Sequence, residues 1–197
     1  HLFQERGSRL SRALPYVLHV DATVSDGGIA LDFRNQGSAG AVFHVYDKRH
    51  LDRIPRRYTV EAGHELKDHW RADPDGRYDL WVVGPGGFMR SFAGDVSLAD
   101  LNVTLTYRPQ QRQIAVHLHN SSQAPRKLSL ASQVYGPKAN RVIDIAPGAD
   151  ASLEWDVAPS GNWYDITLSL EPGFMRRFAG RIETGKDGVS DPAMGVG

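Results

Sequence analysis

Gly87-Phe88-Met89-Arg90-Ser91-Phe92-Ala93-Gly94 returns almost letter for letter as Gly173-Phe174-Met175-Arg176-Arg177-Phe178-Ala179-Gly180. An echo of that length is a repeat signal, and a repeat governs how the whole chain is read. Working outward, a shift of 85 positions lays Ile29-Ala30-Leu31-Asp32-Phe33-Arg34-Asn35 on Ile114-Ala115-Val116-His117-Leu118-His119-Asn120. The same shift lays Val60-Glu61-Ala62-Gly63 on Ile145-Ala146-Pro147-Gly148 and Trp70 on Trp155. One inserted residue restores Tyr78-Asp79-Leu80 over Tyr164-Asp165-Ile166. The chain reads as one module written twice.

Within each copy the apolar period is two. Tyr16, Leu18 and Val20 alternate with Val17, His19 and Asp21; the turn signal Asp26-Gly27-Gly28 follows, and then Ile29, Leu31 and Phe33 alternate with Ala30, Asp32 and Arg34. Alternation across a Gly-containing turn predicts antiparallel strands. Further strands are predicted over Ala41 to Tyr46, Arg57 to Val60, His64 to Trp70, Tyr78 to Val83 and Phe88 to Val96, the last two joined across Gly84-Pro85-Gly86-Gly87. Seven short strands without a helical stretch match an immunoglobulin-like sandwich. The fold expected is therefore all-β, two tandem seven-stranded immunoglobulin-like β-sandwiches, at residues 15–97 and 98–184. Residues 1–14 read as an arm or linker and 185–197 as a flexible, disordered tail. Ser97-Leu98-Ala99-Asp100 is too short to let the copies move freely.

Within this scheme Trp70 and Trp155 are expected core anchors. Tyr78, after Asp73-Pro74-Asp75-Gly76, has the look of a tyrosine corner bonding back to upstream backbone, with Tyr164 as its counterpart. Phe88, Arg90 and Phe92 fall on one side of their strand, which sets a charge between two residues that want burial unless a bulge re-aims the strand. Either Arg90 and Arg176 pair inside their own copies, with Asp79 and Asp165 as candidate partners, or they face a ligand. Recurrence in both copies favours the structural role.

Composition narrows function by exclusion. Lys+Arg and Asp+Glu stand at 23 each in 197 residues, a balance that argues against a general nucleic-acid binder. No cysteine is present, so disulfides, thiolate metal sites and cysteine nucleophiles are excluded. No apolar run has transmembrane length. The start at His1, without initiator Met or signal-peptide core, is expected of a piece excised from a longer protein.

Eight histidines invite a metal reading, but His64 and His69 are five apart on a strand and point to opposite faces. His117 and His119 share a face that reads as solvated. No Gly-x-Ser-x-Gly, no phosphate-cradling Gly loop and no paired-carboxylate signal appears. No catalytic, metal or cofactor residue is assigned. Two features remain as candidate lipid or partner contacts. One is the basic cluster Lys48, Arg49, His50, Arg53, Arg56 and Arg57, partly offset by Asp47 and Asp52. The other is the apolar pair Phe88-Met89 with its counterpart Phe174-Met175.

Gln4-Glu5-Arg6-Gly7, leading to Arg12-Ala13-Leu14-Pro15-Tyr16-x-Leu18-His19-Val20 and then two copies ending in Gly-Phe-Met-Arg-x-Phe-Ala-Gly, resembles the C-terminal tandem domain of bacterial phosphocholine-specific phospholipases C. The resemblance spans essentially the whole chain. It implies a secreted bacterial parent whose hydrolysis of phosphatidylcholine or sphingomyelin belongs to a phosphatase-like N-terminal catalytic domain absent here. It carries no catalytic residue into this stretch.

The expectation is a non-catalytic accessory module that helps the parent engage a phospholipid membrane surface or a partner. The alternatives are a structural spacer or docking surface for the catalytic domain, which a large apolar patch would favour, and a carbohydrate-binding sandwich. For the last, Trp81, expected to face outward, is the residue to watch; Thr167 replaces it in the second copy.

Overall fold

The computed structural model describes residues 7–132, 134–135, 139–170 and 173–194. The chain forms β1 (Leu10–Ser11), β2 (Leu18–Ser25), β3 (Gly28–Asn35), β4 (Ala41–Asp47), β5 (Arg56–Val60), β6 (Glu65–Arg71), β7 (Arg77–Val83) and β8 (Met89–Asp95). After a short 3-10 turn at Val96–Leu98 come β9 (Leu101–Arg108), β10 (Gln113–Asn120), β11 (Arg126–Ser132), β12 (Ala139–Ile145), β13 (Asp150–Asp156), β14 (Trp163–Leu170), β15 (Phe174–Arg181) and β16 (Gly188–Val189). No α-helix occurs among the described residues.

The β2–β3 hairpin shows the local logic. Ser25 pairs with Gly28 across Asp26 and Gly27, both at positive φ (48° and 69°), the backbone a two-residue turn between right-twisted strands requires. Gly28 is fixed by space as well, since a Cβ there would lie 2.1 Å from the Trp70 carbonyl oxygen on β6.

In the first half β2-β3-β6 form one sheet while β5, β4, β7 and β8 run side by side in another; in the second half β9-β10-β13 and β12, β11, β14, β15 repeat that order. Alternate residues of both sheets in each half meet in a core: Val20, Ile29, Leu31, Phe33, Phe43, Leu80 and Val82 in the first, Val103, Ile114, Val116, Leu128, Ile166 and Leu168 in the second. Each such side chain contributes about 1.5–3 kcal/mol by leaving water. A buried asparagine recurs in both cores: Asn35 Nδ2 donates to the Ala39 and Val60 carbonyls (2.8 and 3.2 Å), Asn120 Nδ2 to those of Ala124 and Ile145 (2.9 and 3.3 Å). These side chains satisfy backbone groups that the turn leaves without ladder partners.

The halves are fused. β8 pairs antiparallel with β15, Met89 opposite Ala179 through Ala93 opposite Met175, so the two four-stranded layers become one open eight-stranded sheet. The repeated octapeptide supplies both strands of this seam. Beside it, Tyr107 on β9 donates to the Leu18 carbonyl on β2 at 2.8 Å, closing the second layer of the junction.

The chain ends depart from expectation. The arm and tail, read as linker and disorder, pair with each other through β1 and β16, Leu10 opposite Val189. Ala13 N donates to Asp187 (3.1 Å), Leu14 N to Glu183 (3.0 Å), and the Trp163 indole to the Val189 carbonyl (3.0 Å). The small, polar residues of this segment bury little area, and what orders it is backbone pairing with a partner more than 170 residues away. Residues 1–6 and 195–197 lie outside the described residues.

Candidate interaction surfaces

The octapeptide arginines are buried at the seam, each only 1% exposed. Arg90 Nη1 donates to the carbonyls of Met89 and Ala179 (2.8 and 3.0 Å), and its Nη2 to the hydroxyls of Tyr107 and Tyr164 (2.7 and 3.1 Å). Arg176 does the same in reverse, Nη1 to Met175 and Ala93 (3.0 and 2.9 Å) and Nη2 to Tyr78 (2.7 Å). Each guanidinium also lies over the Phe two residues before it, at 4.2 Å, and near the opposite strand's Phe: Phe178 for Arg90 at 5.3 Å, Phe92 for Arg176 at 5.7 Å. Ring faces and carbonyls together accommodate a cation that forms no ion pair among the described residues. No bulge is needed for a charge to sit between two buried phenylalanines.

This corrects two expectations. Arg90 and Arg176 do not pair with Asp79 and Asp165; Asp79 takes Lys48 (3.3 Å), and Asp165 takes Arg177 through two bonds of 2.8 and 2.5 Å. Tyr78 and Tyr164 turn their hydroxyls across the seam to an arginine of the other half, not back to upstream backbone as a tyrosine corner would. The closing glycines of the octapeptide make room for them: a Cβ on Gly94 would lie 2.7 Å from the Tyr78 hydroxyl and one on Gly180 3.1 Å from that of Tyr164.

The two arginines are not equivalent. Tyr107 is the residue opposite Ile114, and the residue opposite Ile29 is Val24, so among the described residues Arg176 meets one hydroxyl where Arg90 meets two. Its Nε is buried without a partner, and burial lowers its pKa, with Tyr78 opposing. Nothing in the octapeptide signalled Tyr107, which the second copy carries and the first does not.

Phe88 and Phe174 are core residues, so neither is presented at a surface. Met89 and Met175 point the other way, onto the outer face of the eight-stranded sheet. There they join Val83 (opposite Met89), Ala179 and the pair Tyr46–Trp81, whose rings lie 5.7 Å apart. Trp81 is 41% exposed and faces outward. Trp70 is buried and donates to the Tyr58 hydroxyl (3.0 Å) with Arg56 stacked on its ring at 4.0 Å; Trp155 is only partly buried, under Arg141 at 5.1 Å.

The basic cluster of residues 48–57 is met by acids of this chain. Arg49 reaches Asp73 and Asp75 (2.5 and 2.8 Å), His50 reaches Asp73 (2.7 Å), Arg53 reaches Asp47 (3.4 Å) and Arg56 reaches Asp68 (3.0 Å). Arg49 holds Asp73 below the usual carboxylate range. Arg57 is exposed and carries no ion pair among the described residues. What sequence reasoning missed lies at the tip of the same loop: Leu51 and Ile54, the two large aliphatics in an otherwise polar stretch, both point to solvent.

His117 shares its ring nitrogens with Thr106 and Ser152, and His119 pairs with Asp150 (2.8 Å). No group of three or more His, Asp or Glu able to hold a metal occurs among the described residues.

A family model described as bacterial phospholipase C, C-terminal domain, matches residues 10–95 and again residues 101–181. Two relatives named non-hemolytic phospholipase C are similar to the chain. That of Pseudomonas aeruginosa is 40% identical over 205 residues, covering 98% of this chain and 30% of the relative; that of Burkholderia pseudomallei is 40% identical over 199 residues, covering 96% and 28%. The hemolytic phospholipase C of P. aeruginosa is 30% identical over 225 residues, covering 98% and 30%. The chain thus spans less than a third of these relatives and matches their C-terminal part. On the family match over most of its length, the chain belongs to the bacterial phospholipase C C-terminal domain family.

Proposed function

We propose that the chain is a non-catalytic accessory module of a secreted bacterial phospholipase C, built as two seven-stranded immunoglobulin-like sandwiches, and that the outer face of its eight-stranded sheet docks on the N-terminal catalytic part of its parent. The observation that carries this reading is the set of Tyr46, Trp81, Val83, Met89, Met175 and Ala179, which lies on the outer face on both sides of the seam, Trp81 exposed and the others half-buried. A face on which aromatic and methionine side chains stand beside Arg177, opposite Ser91 at the seam and paired with Asp165, and beside the Lys48–Asp79 pair, has the composition of a protein interface. The occupant follows from length: the relatives extend far beyond the stretch this chain matches. The phosphodiesterase chemistry, on phosphatidylcholine or sphingomyelin, is assigned to that other part.

Hydrogen exchange compared between the parent enzyme and the isolated chain tests the reading. Amides of β7, β8 and β15 and their flanking turns are expected to exchange more slowly in the parent. Equal exchange in both would remove it.

A further inference from the structure

The connection from β4 to β5 carries two large aliphatic side chains that the fold leaves bare: Leu51 is 70% exposed and Ile54 87%. Single apolar residues scattered over a surface need no explanation. Here two stand three positions apart on one tip, with Asp52 and Arg53 between them and Arg56 and Arg57 behind.

The loop is held in place. Lys48 N donates to the Asp79 carbonyl (2.8 Å), His50 N to that of Asp47 (3.0 Å), and Arg53 N to that of His50 (3.0 Å). Arg49 and His50 clamp its near side to the Asp73–Asp75 turn. The ion pairs therefore fix the loop with its aliphatics outward. Little ordering remains to be done when the tip meets a partner, which is where flexible loops lose affinity.

Charge decides what the partner is. Lys48, Arg49, Arg53 and Arg56 each face an aspartate of this chain, and the exposed Asp52 offsets Arg57, which leaves the region of the tip close to neutral. A nearly neutral, exposed tip of two aliphatics, with arginine stems beside it, matches a zwitterionic phospholipid surface. Its headgroups part around apolar side chains while long cationic ones stay at phosphate level.

We propose that Leu51 and Ile54 form an insertion tip that seats this chain on a phospholipid bilayer, with apolar burial and not net charge as the driving term. This does not rest on the docking of the outer sheet face. The test uses the full chain and sedimentation with phosphatidylcholine vesicles, with and without an anionic lipid. Wild type is expected to bind phosphatidylcholine vesicles and to keep binding in about 1 M salt, where surface charges are screened. The double variant Leu51→Asp, Ile54→Asp is expected to partition about tenfold less or weaker. Val142→Asp, exposed on the far edge strand, is expected to bind as wild type. Leu51→Trp should shift its emission to the blue on adding vesicles.

Both loop positions are exposed, and thermal unfolding establishes that the variants fold. Undiminished binding by the double variant, binding that needs anionic lipid and vanishes in salt, or no binding by wild type would each overturn the proposal. So would a tryptophan at position 51 that stays in water, which would leave the tip to a protein partner.

Discussion

The guanidinium of Arg90 donates to the hydroxyl of Tyr164, 74 residues away in the other half of the chain. Arg176 returns the bond to Tyr78. The repeat thus locks itself together: the element that marks each half is the element through which the halves join.

Because this lock is uneven, its two arginines should differ in cost. Truncation of either to Ala removes a large buried side chain and should lower unfolding free energy by about 3–5 kcal/mol. Replacement by Met, which keeps volume, separates them. Arg176→Met should be milder than Arg90→Met by about 1 kcal/mol, since Arg176 serves one tyrosine hydroxyl and leaves Nε unbonded while Arg90 serves two. Urea unfolding of the four variants reads this; equal losses for the two Met variants would refute the asymmetry.

His19 gives the junction an acid-sensitive group. Burial, with Arg90 and Arg34 adding to it, pushes its pKa from 6.5 down to about 4, and its ring lies 4.6 Å from that of Tyr107. The unfolded chain takes up this proton near pH 6.5 and the folded chain only near pH 4. Its contribution to stability is therefore whole above about 6.5, falls as pH drops through that window, and falls no further below about 4. The substitution His19→Gln should flatten the dependence: its urea midpoint should move less than that of wild type between about pH 7 and about pH 4.5. Parallel curves would count against the buried, neutral imidazole.

The ends of the chain also carry stability. Truncation after Thr184 removes the Val189 carbonyl that accepts from both Trp163 Nε1 and Arg181 Nη1, together with the strand that pairs with Leu10–Ser11. The loss should be about 1–3 kcal/mol, because two buried donors lose their partner. Thermal unfolding should show a lower midpoint, and residues 7–14 should become open to protease. A truncated chain that melts as wild type would mean these contacts add nothing.

Most of the β architecture was legible because it is local. Alternation over Ile29–Phe33 and over Ile114–Leu118 fixes which side chains face a core, and Asp26-Gly27 fixes a turn; each follows from a period of two and a left-handed backbone requirement. Recurrence of the octapeptide makes a structural role the expectation for Arg90 and Arg176, and the fold places both side chains in the interior of the seam.

What the sequence could not supply was the partner. Asp79 and Asp165 were the near acids, yet each guanidinium went to a tyrosine of the other half, because that choice depends on β8 pairing with β15. A strand edge offers the same N–H and C=O groups whatever its side chains, so no residue pattern names the edge it will meet. The same holds for Gly188–Val189 against Leu10–Ser11, for Tyr107 over Arg90, and for the aspartates that close on the basic loop and leave Leu51 and Ile54 at its tip. The amino-acid sequence determined the strands and the faces they bury; long-range backbone pairing, blind to side-chain identity, decided which charges are satisfied and which apolar groups are left to meet something else.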